Sequence, residues 1–308
     1  MKILRRIGSY WNVPKHAAYV FIAPVMLIIT VFTVIPLISS FVISMTDLNL
    51  FLTDINWVGF DNFIAAFKDA RFVNSLWISI IFAAIAVPAR MVISLLIALF
   101  ITRNNAFNSS MRTIYFLPII CSSTVIGIMW KLILNGYIGL IPYWLQQLGV
   151  PRFDVFNNPD LALGGIGFLS IWGSFGMTAI IFLAAIKAVP YELYEAAEMD
   201  GATKPRQFWS ITLPDIMPTF WFLLITNVIS SLQVFDLIYI ITNGGPQFAT
   251  ETTIAYVFYS AFTKHQLGYG SALAEIFFIF IMILTLIMYV LMTKQENDDL
   301  GGKVNGKR

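Results

Sequence analysis

The run from Ala17 to Met45 contains no Asp, Glu, Lys or Arg and consists almost entirely of apolar residues. About 20 such residues are enough for a helix to cross the hydrocarbon core of a bilayer. The run has no small-residue cleavage pattern at its end, so it predicts a retained first membrane helix rather than a removed signal peptide. Across the chain, 58% of residues are hydrophobic and 12% are charged, which predicts an integral membrane protein.

Five further apolar segments are long enough to span a membrane. They cover approximately residues 72–102, 113–134, 161–188, 217–241 and 271–293. The sequence therefore predicts an all-α membrane protein with six transmembrane helices. No repeat or interdomain linker divides the chain, so we expect a tail at 1–16, one membrane domain at 17–293 and a second tail at 294–308.

Lysine and arginine are distributed unevenly between the two sides that six spans would create. Thirteen lie on the side that carries both termini and the segment between the fourth and fifth spans, and four lie on the opposite side. The thirteen are Lys2, Arg5, Arg6, Lys15, Arg103, Arg112, Lys187, Lys204, Arg206, Lys294, Lys303, Lys307 and Arg308; the four are Lys68, Arg71, Arg152 and Lys264. Cytoplasmic loops carry the excess of basic residues, so both termini are predicted to be cytoplasmic.

The segment 190–214, between the fourth and fifth spans, is polar and regularly patterned. Val189 precedes a proline and is biased away from the helical conformation, while Pro190 suits the first turn of a new helix. Gly201 can take the left-handed conformation that ends such a helix. An acidic stripe recurs every three residues at Glu192, Glu195 and Glu198. These features predict a short helix and a turn on the membrane surface, with Pro205 starting a second helical turn that Leu213-Pro214 ends.

The same segment resembles the EAA loop of membrane permeases of ATP-binding cassette (ABC) importers. That pattern is Glu-Ala-Ala, three residues, Gly, nine residues, Ile, one residue and Leu-Pro, and it is matched by Glu195, Ala196, Ala197, Gly201, Ile211, Leu213 and Pro214. In that family the loop forms a coupling helix that docks into a groove of a cytoplasmic ATPase, and the resemblance implies this role here. From the residues alone, the alternative is an acidic surface helix without a partner.

Two other patterns are similar to those of the sugar permeases in this class. They are Arg112-Thr113 followed by Phe116-Leu117-Pro118 and Trp130, and the turn Asn243-Gly244-Gly245-Pro246. The resemblance covers nearly the whole chain and implies a type I importer permease fold like that of the maltose transporter, for uptake of a sugar or an oligosaccharide. It implies a bacterial inner or plasma membrane and, as partners, a second homologous permease, two ATPase subunits and an extracytoplasmic solute-binding protein.

The chain carries no convincing nucleotide or catalytic motif of its own. The tail Gly301–Arg308 approaches a phosphate-binding loop, but Arg308 stands where a Ser or Thr should bind Mg²⁺. We therefore expect no cofactor on this chain, with ATP and Mg²⁺ bound by the separate ATPase subunits. No paired nucleophile and base and no metal-ligand cluster supports a membrane-embedded enzyme, and a net charge of +2 argues against binding of nucleic acid.

The fifth span carries polar side chains on one face. Asn227, Ser230, Ser231 and Val234 fall at positions i, i+3, i+4 and i+7, and Gln233 lies beside them. Uncharged polar groups in a membrane helix either hold helices together or line a pathway for a hydroxyl-rich solute, and both alternatives stay open. The fourth span offers Trp172, Ser174 and Phe175, which suit either the face of a sugar ring or ordinary helix packing.

Arg90 lies inside the second span, where a charge costs about 2.5–3.5 kcal/mol on insertion scales, so it should face protein or a water-filled cavity. A permease for another solute, such as glycerol phosphate or an amino acid, is the alternative function; a phosphorylated solute would need a fixed cation, and Arg90 is the candidate. The roles of Asp236 and Glu275 stay open, although either could pair with Lys131. Cys121 lies in an apolar run and is predicted to be buried.

Overall fold

A computed structural model describes residues 14–51, 55–102 and 106–305, and the side chains of residues 19–51, 55–102 and 109–294. Within these ranges the chain is predominantly helical, and the β structure is a single antiparallel bridge between Thr46 and Trp57. Most of the predicted N-terminal tail, Arg103 and residues 306–308 lie outside the described residues, so the predictions made for them stay predictions. The all-α prediction is confirmed.

One compact unit contains the chain up to Lys68 together with Tyr259–Ile276. Its first membrane-length helix consists of α1 (Pro14–Ile29) and α2 (Ile35–Ser44), joined by a π-helical turn. The most apolar part of this helix has no buried residue within the chain, as expected for a surface that faces lipid or another subunit. A short helix, α3 (Asp61–Lys68), follows, and the Asn62 amide fixes it to the end of α2 by donating to the Ser44 carbonyl oxygen at 2.9 Å.

The second unit contains Asp69–Phe258 and the chain from Phe277 onward. In chain order its helices are α4 (Ala70–Phe100), α5 (Ala106–Ile120), α6 (Ser123–Ile133), α7 (Leu140–Gln147), α8 (Pro159–Ala188), α9 (Tyr191–Met199), α10 (Lys204–Gln207), α11 (Leu213–Asp215), α12 (Met217–Leu232), α13 (Asp236–Ile241) and α14 (Thr253–Phe258). The last helix, α15 (Leu267–Asn305), begins in the first unit and ends in the second.

Three long helices, α4, α8 and α12, form the framework of the second unit. Val87, Phe182 and Leu223, one from each helix, are almost fully buried in a common apolar cluster. In a bilayer such helices associate through close packing rather than through removal from water. Gly176 of α8 shows how close this packing is, because a Cβ atom there would lie 2.2 Å from the carbonyl oxygen of Tyr115 in α5. Only glycine permits this approach of two helix backbones.

The third predicted span is broken rather than straight. Helices α5 and α6 meet at an angle of 97° on either side of Cys121 and Ser122. Pro118 interrupts the hydrogen bonding at the end of α5, and the Ser122 hydroxyl caps α6 by accepting from the Thr124 N–H at 3.3 Å. Because of the bend, Cys121 is exposed, so the prediction of a buried thiol is wrong. Among the described residues, five helices and this bent pair are long and apolar enough to cross a membrane.

The loop after α13 is fixed by an ion pair whose carboxylate is buried. Asn243 and Gly244 take positive φ angles of 50° and 84°, which confirms the predicted turn. Glu251, whose side chain is 4% exposed, accepts two hydrogen bonds from Arg71, from Nε at 2.6 Å and from Nη2 at 2.7 Å. The Arg71 guanidinium also lies 3.9 Å from the ring centroid of Phe248. These contacts secure the loop to the beginning of α4.

Candidate functional site

The segment that joins α8 to α12 begins with a sharp change of backbone conformation. Val189 is extended, with φ −62° and ψ 126°, and therefore ends α8 where the proline predicted it. Pro190 lies immediately before the first residue of α9 rather than inside its first turn. The short predicted helix is confirmed as Tyr191–Met199.

Gly201 closes α9 with a φ of +73°, which confirms its predicted left-handed conformation. The turn satisfies carbonyl groups at the end of the helix, because the Gly201 N–H donates to the Glu198 oxygen at 3.0 Å and the Ala202 N–H donates to the Ala197 oxygen at 2.8 Å. A Cβ atom at Gly201 would meet nothing within 4 Å. The glycine is therefore required by backbone conformation and not by lack of space.

Helix α9 has no buried residue within the chain. Glu195 and Ala196 are exposed, Ala197 is half-buried, and the apolar side chain of Met199 is 88% exposed. Glu198 pairs with Lys204, and the hydrogen bond from that ammonium lowers the pKa of the Glu198 carboxyl group. The helix therefore presents apolar and acidic groups together on one accessible surface.

The rest of the segment holds α9 in place. The hydroxyl groups of Tyr194 and Thr212 are 2.8 Å apart, which links α9 to the π-helical turn Phe208–Thr212. Ile211 and Leu213 are half-buried and Pro214 is exposed. Leu213-Pro214 does not end the helical segment as predicted, because α11 continues to Asp215 and the break falls at Ile216, whose ψ is 1°.

A cavity of about 480 Å³ lies within the second unit. Its wall is formed by α4, by the bend between α5 and α6, and by parts of α8, α12 and α13. The polar and charged residues that line it are Arg90, Ser123, Ser170, Ser174, Ser230, Gln233 and Asp236. A cavity of this volume, lined by both polar and apolar groups, is large enough for a small molecule.

The structure brings only some of the predicted pathway residues to this cavity. Ser174, Ser230, Gln233 and Val234 line it. Asn227 and Ser231 are not among its lining residues; they are 7% and 1% exposed, and the Ser231 hydroxyl has no hydrogen-bond partner within the described part of the chain. The predicted polar face of the fifth span is thus divided between the cavity and the packing of α12.

The two aromatic candidates of the fourth span also lie outside the cavity wall. Trp172 packs edge-on against Trp130, with ring centroids 5.6 Å apart, and Phe175 packs in the same way against Tyr115 at 5.8 Å. Both side chains are half-buried. In this structure they contribute to helix packing, so a contact with a sugar ring stays a prediction for them.

Sequence reasoning did not select several groups that line the cavity. Ser170 lies one helical turn before Ser174 on the same face of α8, and this spacing was the available signal. Cys121 and Ser123 reach the cavity through the bend, which no local pattern indicated. Asp236 begins α13 and lines the cavity, whereas Lys131 donates to the Ile240 carbonyl oxygen at 3.2 Å. Lys131 and Asp236 do not form the ion pair considered from the sequence.

Residues 62–297 match the family described as "Binding-protein-dependent transport system inner membrane component". The chain belongs to this family. It is therefore a multi-pass membrane permease of a binding-protein-dependent transport system, and the predicted membership of the ABC permeases is confirmed. The matched range includes α9 and every helix that lines the cavity.

Some relatives of this permease are named for a solute, and the solutes differ. The chain is 36% identical to the probable ABC transporter permease YesP of Bacillus subtilis, over 89% of each chain. It is 32% identical to the diacetylchitobiose uptake permease NgcF of Streptomyces coelicolor, covering 94% of this chain and 84% of that one. It is 30% identical to the sn-glycerol-3-phosphate permease UgpA of Rhizobium meliloti, covering 91% and 96%.

Solved structures share the fold of this permease. A chain of a bacterial ABC transporter for the acidic polysaccharide alginate matches with a TM-score of 0.82, covering 96% of this chain and 99% of that chain at 21% identity. A second structure of the alginate transporter, in complex with its pentasaccharide-bound periplasmic protein, matches with a TM-score of 0.79. The predicted importer-permease fold is confirmed.

Proposed function

We propose that this permease forms, together with a second homologous permease, the uptake pathway for a sugar or an oligosaccharide, and that two separate ATPase subunits drive transport. The observation that carries the proposal is α9, an exposed helix between two membrane-length helices that ends at a left-handed glycine. The residues from Glu195 to Pro214 have the spacing of the coupling loop of ABC importer permeases. The names of relatives such as the diacetylchitobiose permease support a saccharide as the solute.

The proposed coupling residues are those of the EAA pattern, which are Glu195, Ala196, Ala197, Gly201, Ile211, Leu213 and Pro214. The exposed Glu195 and the small Ala196 offer a charge and a close approach to a groove of the ATPase. Since α9 is linked to the helical segment before α12 through Tyr194 and Thr212, a displacement of α9 would be transmitted to a helix that lines the cavity. ATP and Mg²⁺ bind to the ATPase subunits, and this chain binds neither.

In the proposed pathway, Ser174, Ser230 and Gln233 contact the solute in the cavity. The Ser230 hydroxyl and the Gln233 amide can both donate and accept hydrogen bonds, as recognition of a hydroxyl-rich solute requires. The Ser174 hydroxyl donates to the Ser170 carbonyl oxygen, so it is available as an acceptor. An extracytoplasmic binding protein delivers the solute from outside. Residues 17–293 act as one membrane domain between two cytoplasmic tails in a bacterial inner or plasma membrane, with α9 on the cytoplasmic side.

The orientation is testable with single cysteines in a Cys121→Ser background. Met199→Cys, on α9, should be labelled by a membrane-impermeant maleimide only in inside-out vesicles, when the permease is produced without its ATPase so that α9 is uncovered. Tyr137→Cys, which is 78% exposed between α6 and α7, should be labelled only in right-side-out cells. Labelling of both positions from the same side would contradict the proposed topology.

A leucine at position 230 should impair transport without preventing assembly. Ser230 is exposed to the cavity, so Ser230→Leu removes a hydrogen-bonding group and narrows the pathway. We expect the uptake rate to fall by about tenfold. This is the effect of losing about 1.4 kcal/mol of the interaction between permease and solute in the rate-limiting step. The matched control is Thr226→Leu, because Thr226 is an exposed residue of the same helix that does not line the cavity. Equal uptake by both variants would contradict a pathway role for Ser230.

The function itself is tested in proteoliposomes that contain both permeases, the ATPase and the binding protein. A panel of saccharides is presented, and uptake is measured together with solute-dependent ATP hydrolysis. At least one saccharide should stimulate both. Stimulation by sn-glycerol-3-phosphate or by amino acids alone would favour the alternative, a permease of the same superfamily for a non-sugar solute.

A further inference from the structure

The cavity contains a buried cation that is held by neutral groups. Arg90 is 3% exposed and lines the cavity. Its Nη1 donates to the Asn227 amide oxygen at 2.9 Å, and its Nη2 donates to the Ser170 hydroxyl oxygen at 2.8 Å and to the Ser170 carbonyl oxygen at 3.4 Å. The buried Nε has no hydrogen-bond partner among the described residues. A guanidinium carries five N–H donors, so part of this capacity is unused.

The surroundings orient the charge without neutralising it. Within the described residues Arg90 forms no ion pair, and the other charged group of the cavity wall, Asp236, is exposed at the beginning of α13. The remaining polar groups of the wall, such as Ser174, Ser230 and Gln233, are uncharged. If Arg90 served only to tie α4 to α8 and α12, a neutral amide could supply those hydrogen bonds without the cost of a buried charge.

We propose that Arg90 binds an anionic group of the transported solute, with carboxylate, sulfonate or phosphate oxygens as the recognised chemistry. A guanidinium suits this task because its planar N–H groups match two oxygens of such an anion. Asn227 and Ser170 hold the guanidinium in place, so it is a fixed element of the wall. The inference rests on the proposed uptake function and narrows it to a saccharide that carries an acidic group.

Cys121 provides a probe of this charge that does not depend on knowing the solute. It is the one cysteine of the chain, it is exposed, and it lines the same cavity. Its thiolate attacks a methanethiosulfonate reagent at the sulfenyl sulfur, forms a mixed disulfide and releases methanesulfinate. The reagents are the anionic sulfonatoethyl and the cationic trimethylammonioethyl methanethiosulfonates, and the labelling of this chain is followed by mass spectrometry in the purified importer.

The ratio of the anionic to the cationic labelling rate should fall by about tenfold in Arg90→Gln, because loss of a nearby unit charge changes the two rates in opposite directions. Arg90→Lys should keep most of the wild-type ratio. A change in the reactivity of the thiol itself affects both reagents equally and cancels in the ratio. Lys131→Gln is the matched control and should leave the ratio unchanged, because it removes a cation that does not line this cavity. Asp236→Asn should raise the ratio, because it removes a negative charge from the cavity wall. An unchanged ratio in Arg90→Gln would overturn the proposal.

The second experiment measures transport. Neutral disaccharides and their counterparts with a carboxylate or phosphate at C6 are compared in proteoliposomes with the binding protein present. Asn227→Asp keeps Arg90 but places a carboxylate beside it. The variant should therefore assemble normally and take up the acidic disaccharides at least tenfold more slowly than the wild type. If only neutral members are transported and Arg90→Gln leaves their uptake unchanged, this inference fails and the sugar function stands. If no saccharide is transported, the sugar function fails, while the labelling ratio still tests the anion site.

Discussion

Replacing Gly201 by valine should disconnect the permease from its ATPase subunits while leaving its membrane helices assembled. Gly201 has a φ of +73°, a conformation that a β-branched residue adopts only at a cost of about 1–3 kcal/mol. Relief of this strain would break the turn in which Gly201 and Ala202 donate to the last carbonyl groups of α9. We expect co-purification of the ATPase and solute-stimulated hydrolysis to fall at least tenfold, a change of about 1.4 kcal/mol in the contact.

Two further variants separate the conformation of this turn from its surroundings. Gly201→Asn should keep most of the coupling, because asparagine tolerates the left-handed conformation and nothing lies within 4 Å of a Cβ atom there. Glu195→Lys, with the turn intact, should also weaken ATPase binding, because it reverses an exposed charge on the proposed contact surface. Normal ATPase binding in Gly201→Val would show that the shape of this turn does not serve coupling.

Removing the Arg71 guanidinium should destabilise the permease by about 3 kcal/mol, the lower end of the usual cost of losing one partner of a buried ion pair, because Glu251 is 4% exposed but Arg71 is 23% exposed. Arg71→Met leaves the Glu251 carboxylate, 4% exposed, without the two hydrogen bonds that now satisfy both its oxygens. The loop between α13 and α14 should then lose its attachment to α4. Thermal inactivation of the purified permease measures the effect as a lower midpoint temperature.

The pair between Lys204 and Glu198 serves as the matched control. Its side chains are 77% and 51% exposed, so Lys204→Met should cost no more than about 1 kcal/mol. The double variant Arg71→Met/Glu251→Met should be more stable than Arg71→Met alone, because it removes the uncompensated charge as well. If Arg71→Met and Lys204→Met were equally stable, the pair between Arg71 and Glu251 would have no special role in holding the loop.

The features that sequence predicted correctly depend on local chemistry. Apolar runs predicted where the membrane-length helices lie, and Gly201 predicted the end of α9. The turn that starts at Asn243 was likewise recognisable, because asparagine and glycine are the residues that accept positive φ. In each case the residue responsible lies within a few positions of the structure that it determines.

The features that sequence missed depend on contacts between distant segments. Arg71 and Glu251 are separated by 180 positions, so neither residue alone indicated the other as its partner. The bend at Cys121 was not predicted because the apolar run continues across it. Hydropathy shows which residues are apolar but not where a helix changes direction. Arg90 was recognisable as a membrane-embedded charge, but its place in the cavity wall follows from the packing of α4 against α8 and α12.

The adjacent serines of α12 have different surroundings. Ser230 is open to the cavity, whereas Ser231 is 1% exposed among packed side chains. In the proposed pathway, a substitution at position 230 would change the contact with the solute without disturbing the packing of α12, whereas a bulky substitution at position 231 would disturb that packing whatever solute is carried. If the cavity residues contact the solute as proposed, solute preference can change through a few of these positions while the helix contacts and the segment 190–214 stay the same.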